Sequence, residues 1–184
     1  MNVILDSNEV TKTLRRLAHE VIENYVDLSN LAIVGIVTRG EYLAKRLHDI
    51  ISQIEKVEIP YGYLDVTLYR DDLDHRNSLK PSKSSKVPNI DNKHVLLVDD
   101  VLYEGRTARA ALDAIKDFGR PASVKLLVLA DRGHRKLPIS ANFVGKNIPT
   151  NPNQIVKVYI SEIDNKDSIE IQDSPIKVKQ TKGE

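Results

Sequence analysis

The sequence predicts an α/β fold in which a mostly parallel central sheet is flanked by helices. Three observations carry that expectation. Short continuous apolar runs at residues 31–37, 95–98 and 124–130 have the pattern of strands buried on both faces. Segments with helical spacing of apolar residues alternate with them, as in successive strand–helix–strand units. The run that ends at Val98 stops abruptly at Asp99-Asp100 and leads through a turn containing Gly105 into an alanine-rich helical pattern over 108–118. Charge is thereby delivered to the carboxyl end of a strand, where open sheets of this kind bind ligands.

Taken in order, Val10, Leu14, Leu17, Ala18, Val21, Ile22 and Tyr25 recur at helical spacing and predict an amphipathic helix over 9–25. Asp6, Ser7 or Asn8 supplies its N-cap. A buried strand over 31–37 follows, then a helix over 41–54 with Leu43, Leu47, Ile50, Ile51 and Ile54 inward, then a strand over 61–69. The helix over 108–118 is closed by Gly119-Arg120-Pro121. After the strand over 124–130, residues 131–151 read as an irregular basic segment, followed by a strand over 155–160 and another near Ile169.

Residues 70–92 interrupt the pattern with mostly polar sequence lacking any period. They read either as a lid that folds Arg70-Asp71-Asp72 and Lys80, Lys83 and Lys86 over a bound anion, or as a solvated arm. Residues 1–173 are expected to form one domain. Residues 174–184, with Lys177, Lys179 and Lys182, are expected to be a frayed tail.

Composition narrows the class of function. A chain of 184 residues, 41% hydrophobic and 29% charged, is that of a soluble globular protein with room for a sizeable core. It carries no apolar run long enough to cross a bilayer and no secretory leader pattern, so a cytoplasmic location is expected. The absence of cysteine excludes disulfides and thiolate metal sites. With a net charge of +1, a nucleic-acid partner must be held by a local basic patch rather than by an overall positive field.

The strand, acidic pair, glycine turn and helix N-terminus together suit a phosphorylated, polyhydroxylated ligand. Free N–H groups and the positive dipole end of the helix attract a phosphate, which the Thr107 hydroxyl also reaches. The carboxylates accept hydrogen bonds from sugar hydroxyls or help hold Mg²⁺. The plain alternative for Asp99-Asp100 is a helix cap beside a solvated acid, and the coupling to Gly105 and Thr107 outweighs it. Thr38-Arg39-Gly40 and Asp131-Arg132-Gly133 also leave strands at their carboxyl ends, so three segments converge on one site. Arg39 there suits a second phosphate. Two anion sites flanking a diol reader indicate a sugar phosphorylated at both ends.

The run over 95–107 resembles the phosphoribosyl-pyrophosphate signature of type I phosphoribosyltransferases. Thr38-Arg39-Gly40-Glu41-Tyr42-Leu43-Ala44-Lys45-Arg46-Leu47, Thr67-Leu68-Tyr69-Arg70-Asp71-Asp72-Leu73, Asp131-Arg132-Gly133-His134-Arg135 and Gly145-Lys146-Asn147-Ile148-Pro149-Thr150 look like the PyrR family. The resemblance covers roughly residues 10–158. It implies a type I phosphoribosyltransferase fold with a small hood and a flexible lid loop. It also implies a pyrimidine-operon attenuation regulator that doubles as a uracil phosphoribosyltransferase, making UMP and pyrophosphate from uracil and phosphoribosyl pyrophosphate (PRPP).

Matching positions give each residue an implied role. Asp99 and Asp100 bind the ribose hydroxyls, and the loop Val101, Leu102, Tyr103, Glu104, Gly105, Arg106 and Thr107 receives the 5-phosphate. Thr38, Arg39 and Gly40 form the pyrophosphate loop, with a strained or cis peptide. Arg70 closes over the reacting centre, and Asp131 and Arg132 lie beside the base. Asp99, Asp100, Arg39 and Arg70 are the expected catalytic set. Mg²⁺ arrives on the substrate pyrophosphate, with no dedicated protein site. Departure of pyrophosphate leaves oxocarbenium-like character on the sugar, so catalysis calls for positioned charge and excluded water rather than a protein nucleophile.

The resemblance further implies binding of a stem-loop in pyrimidine-operon leader mRNA, promoted by UMP or UTP. The contacting surface is formed by Lys12, Arg15, Arg16 and His19 on the first helix and by Arg132, His134, Arg135, Lys136 and Lys146 later in the chain. A homodimer or higher homo-oligomer is implied, and no membrane partner. The chain departs from the family pattern at Arg15, in place of threonine, and at Ser140, in place of a basic residue.

The third departure, Glu104, stands where a threonine donates to the 5-phosphate. Two unit charges about 4 Å apart cost roughly 4 kcal/mol at an effective dielectric of 20. Pointing inward, Glu104 would leave a uridine-nucleotide-sensing RNA-binding regulator with little or no transferase activity. Pointing to solvent, it leaves the backbone N–H groups, Thr107 and Arg106 to hold the phosphate. The expectation is weakened but not abolished nucleotide binding in a bifunctional protein. A purine phosphoribosyltransferase is disfavoured by the segments around Tyr42, Arg70 and His134.

Overall fold

A computed structural model describes residues 2–71 and 84–174. Five strands form a parallel sheet in the spatial order β3-β2-β4-β5-β6: β2 (Leu31–Ile36), β3 (Tyr61–Leu64), β4 (His94–Leu102), β5 (Ser123–Asp131) and β6 (Phe143–Asn147). A three-stranded antiparallel hood, β1-β8-β7, is built from β1 (Asn2–Leu5), β7 (Gln154–Tyr159) and β8 (Ser168–Asp173). The helices are α1 (Ser7–Asn24), α2 (Arg39–Glu55), α3 (Arg106–Ala114) and the single turn α4 (Ser161–Asp164).

Alternation along the buried strands divides the core into two layers. Ile33, Leu96, Val98, Leu127 and Leu129 pack with Val10, Leu14, Leu17, Leu43, Leu47 and Ile51 of α1 and α2, and this layer runs on into Val156, Val158, Ile160 and Ile169 of the hood region. Ala32, Val34, Val95, Leu97 and Val128 face the other way, onto Ala108, Ala111 and Ala114 of α3. The uniformly apolar strands follow from this two-sided burial.

Local chemistry sets the element ends. Asp6 is the N-cap of α1: its carboxylate accepts from the Glu9 N–H, and the Glu9 carboxylate accepts from the Asp6 N–H, both at 2.9 Å. The strand expected over 61–69 stops at Leu64, because Asp65 Oδ1 accepts from the Thr67 N–H and hydroxyl at 2.8 and 2.6 Å and turns the chain into a 3-10 turn over Thr67–Tyr69. The segment expected to be irregular, 131–151, contains β6, an edge strand too short and too polar to show a period. The expected strand near Ile169 is β8, and the last residues of the chain lie outside the described region together with Lys80 and Lys83.

With β3 lying outside β2, and β5 and β6 outside β4, the direction in which successive strands are added to the sheet reverses between the parallel neighbours β2 and β4. The carboxyl ends of these two strands carry residues 37–40 and 99–107, side by side at the switch point.

Candidate active site

β4 is longer than its apolar run. It continues through Asp99 and Asp100, and pairing of Asp99 with Val128 and of Leu102 with Asp131 carries the acidic pair on a rigid central strand instead of a loop. Asp99 is only 9% exposed. Burial pushes its carboxyl well above the usual range, the neighbouring Asp100 charge adds to the rise, and Arg70 opposes it. The Asp100 N–H donates to Asp99 Oδ1 and the Val101 N–H to Asp100 Oδ1, each at 2.9 Å, which fixes both side chains.

After β4 the chain turns at Gly105, whose φ of +93° suits glycine, and enters α3. No side chain caps α3, so its first-turn N–H groups are left for a ligand. Arg70, Asp99, Val101, Leu102, Tyr103, Glu104, Gly105, Arg106 and Thr107 line one cleft, joined by Ala108. Glu104 belongs to this lining, yet its charge is countered. Arg106 Nε donates to Glu104 Oε2 at 3.0 Å, and Lys136 Nζ lies 3.3 Å from Oε1. The hydrogen bond from Arg106, with Lys136 reinforcing it, holds the Glu104 carboxyl below the usual range. Asp71 in turn contacts Arg106 and Arg109, each at 3.3 Å, tying the start of the 70–92 segment to α3. Beyond the undescribed residues, Lys86 pairs with Tyr63 in an antiparallel bridge.

The Thr38-Arg39-Gly40 segment meets β4 from the adjacent strand. The Val37–Thr38 peptide is cis. A Cβ on Gly40 would lie 2.4 Å from the Val98 carbonyl oxygen, so only glycine lets α2 begin this close to the acidic strand. Asp131 and Arg132 line a second cleft with His134, Arg135, Asn147 and Thr150. Arg132 lies 3.8 Å over the Tyr103 ring, and the His134 ring meets that ring edge-on with centroids 6.2 Å apart. Tyr103 therefore joins the two clefts.

Three comparisons bear on this geometry. The profile of the phosphoribosyl transferase domain family matches residues 2–163. Among curated relatives, "Bifunctional protein PyrR" of Brevibacillus brevis is 52% identical over 172 residues, 93% of this chain and 96% of the relative. The protein of that name from Deinococcus radiodurans is 51% identical over 171 residues, 92% of this chain and 93% of its own length. This chain belongs to the PyrR family of phosphoribosyltransferases. Among solved structures, a hypoxanthine phosphoribosyltransferase from Staphylococcus aureus matches with a TM-score of 0.67 at 24% identity, over 91% of this chain and 89% of that one. That likeness speaks to the fold alone, and the type I phosphoribosyltransferase fold is what the sequence predicts.

Within the PyrR frame, the residues named from sequence fall into three places. The Asp99–Thr107 run and Arg70 share the first cleft, with Asp100 on the same strand end. Asp131 and Arg132 stand in the second cleft, and Thr38, Arg39 and Gly40 occupy the neighbouring strand end. Lys12, Arg15, Arg16 and His19 are all exposed on α1, and Arg16 Nη2 donates to the Gly145 carbonyl at 2.5 Å, next to exposed Lys146. His134 is exposed, its Nε2 2.6 Å from the Thr150 carbonyl oxygen. Arg135 is placed differently: its guanidinium donates to the carbonyls of Ile139 and Tyr103 and to Asp131 Oδ2, bracing the loop from within. The tie between Tyr103 and Arg132 was not legible in sequence, since stacking across two loops leaves no periodic signal. Asn147 and Thr150, part of the family-like segment 145–150, also line the second cleft. Among the described residues, no three His, Asp or Glu side chains gather to hold a metal.

Proposed function

We propose that this protein is an RNA-binding attenuation regulator of pyrimidine genes that also makes UMP from uracil and PRPP. The observation that carries the reading is the buried Asp99 on β4, fixed beside the uncapped start of α3 and one aromatic ring away from a second cleft. In this reading the α3 N–H groups and the Thr107 hydroxyl receive the 5-phosphate, with Arg106 adding charge. Asp99 and Asp100 accept from the ribose hydroxyls. Uracil occupies the second cleft beside Asp131 and Arg132, and the Thr38-Arg39-Gly40 turn receives the pyrophosphate.

The reaction then needs little covalent help. The bond from ribose C1 to pyrophosphate oxygen breaks, the bond from C1 to uracil N1 forms, and the N1 proton passes to solvent as pyrophosphate leaves. Positive charge developing on the ring is stabilised by the carboxylates of Asp99 and Asp100. Arg39 and Arg70 balance charge on the leaving group. Mg²⁺ belongs to the substrate, carried on the PRPP pyrophosphate. Glu104, paired with Arg106 and Lys136, weakens phosphate binding without abolishing it, which favours the bifunctional reading over a sensor lacking catalysis.

The regulatory half rests on the exposed basic side chains Lys12, Arg15, Arg16, His19 and Lys146, with His134 at the rim of the base cleft. A folded patch of this kind suits recognition of an RNA loop by a protein of nearly balanced charge. The reading includes assembly as a homodimer or higher homo-oligomer. Radiolabelled uracil incubated with PRPP and Mg²⁺, beside leader-RNA binding with and without UMP, tests both halves. UMP formation together with UMP-strengthened RNA binding is expected. RNA binding without UMP formation selects the sensor, and UMP formation without leader-RNA binding removes the regulatory assignment.

A further inference from the structure

Arg39 makes a two-pronged long-range contact with Asp164. Its Nη2 donates to Asp164 Oδ1 at 2.9 Å and to Oδ2 at 3.2 Å, and its Nε donates to Oδ2 at 3.3 Å. The two residues stand 125 positions apart in sequence, and the side chains are only 32% and 16% exposed. Asp164 is itself held firmly. Its Oδ2 accepts from the Ile160 N–H at 2.9 Å, and the turn around it is clipped to α2 a second time, two helical turns beyond Arg39. There Arg46 Nε donates to Glu162 Oε1 at 2.8 Å and Arg46 Nη2 to Asp167 Oδ1 at 2.9 Å, while the Ser161 N–H donates to the same Asp167 oxygen at 2.8 Å. Among the described residues, Arg39 Nη1 donates no hydrogen bond to the protein, the bonds to Asp164 being made by Nε and Nη2.

We propose that Asp164 is a positioning residue for the pyrophosphate loop, its carboxylate holding the Arg39 guanidinium so that Nη1 and the free face of the group meet a pyrophosphate already ordered. This rests on the reading of residues 38–40 as the pyrophosphate loop. The physical basis is preorganisation. An arginine side chain loses rotamer freedom when it binds an anion, and a two-pronged, charge-assisted bond to a fixed carboxylate settles that loss at folding. The side-on grip engages one edge of the guanidinium and spares the other, which separates it from a contact that simply buries the charge. Asp164 touches no substrate in this account. It acts through Arg39, and so links the hood region to the leaving-group side of the site.

The test titrates Mg-pyrophosphate into the full chain, wild type and variants, and measures KM for PRPP and for uracil. Asp164→Asn is expected to weaken pyrophosphate binding and raise KM for PRPP by about tenfold, with KM for uracil and UMP affinity unchanged. Asp164→Glu, which keeps the charge on a longer arm, is expected to fall between the two and serves if the asparagine variant does not fold. In an Arg39→Ala background Asp164→Asn is expected to add nothing. Unchanged or tighter pyrophosphate binding in Asp164→Asn overturns the proposal, the tighter result marking a latch that withholds Arg39. A parallel loss of UMP affinity, or an equal loss in the Arg39→Ala background, overturns it in favour of a general structural role. Wild-type protein that binds pyrophosphate but forms no UMP defeats the proposed reaction while the titration still decides the role of Asp164.

Discussion

Asp99 and Glu104 concentrate the energetics of the site in two carboxylates with opposite environments. Asp99 is buried and its carboxyl is pushed up, so its ionised form is disfavoured in the folded state. A carboxyl raised on folding costs nothing below its unfolded pKa and destabilises increasingly as pH rises through the folded value. Asp99→Asn is therefore expected to raise Tm, more at pH about 8 than at pH about 4, while UMP synthesis collapses. An unchanged or lower Tm at neutral pH contradicts the burial argument. Glu104 is the reverse case, held ionised by Arg106 and Lys136 in the lining of the first cleft. Glu104→Thr is expected to tighten UMP binding by about tenfold, since a repulsive charge leaves the phosphate loop. Lys136→Met is expected to weaken UMP binding in the wild type and to matter little once Glu104 is threonine. Equal UMP affinities in wild type and Glu104→Thr contradict a phosphate-facing role for Glu104.

At the level of elements, the site depends on how closely two strand ends and two helix starts approach. Gly40→Ala places a Cβ against the Val98 carbonyl, and is expected to cost about 1–3 kcal/mol of stability and most of the activity together. Asp6→Ala breaks only the capping box of α1 and is expected to cost about 1 kcal/mol while leaving the rate of UMP formation intact. Denaturant melts and UMP formation measured on both variants separate the two outcomes. Elements with a long period or a fully apolar run were legible in sequence: α1, α2, β2, β4 and β5 lie where 3.6-residue spacing or two-sided burial puts them. β1, β6 and α4 were not. Each is five residues or fewer, and each is stabilised by partners distant in sequence, β1 by β8 and β6 by β5, so no local signal marks it. The end of β3 was missed for a different reason, the local competition of the Asp65 side chain with the strand ladder.

Across the whole molecule, the acidic end of β4 at the sheet switch point and the exposed basic side chains of α1 and Lys146 belong to one chain with a net charge of only +1. The motif proposed to receive phosphate was readable because its residues are contiguous. The Arg39–Asp164 bond and the Tyr103–Arg132 stack, which join loops far apart in sequence, were not. Division of labour between the surfaces predicts that Lys146→Ala weakens leader-RNA binding and flattens its salt dependence without changing UMP formation. A loss of UMP formation in that variant contradicts the separation. The most direct test of the central claim is a competition between bases: wild-type protein, PRPP and Mg²⁺ with radiolabelled uracil and hypoxanthine at equal concentration. The account predicts UMP as the dominant product. Predominant formation of IMP, or of neither nucleotide, contradicts it.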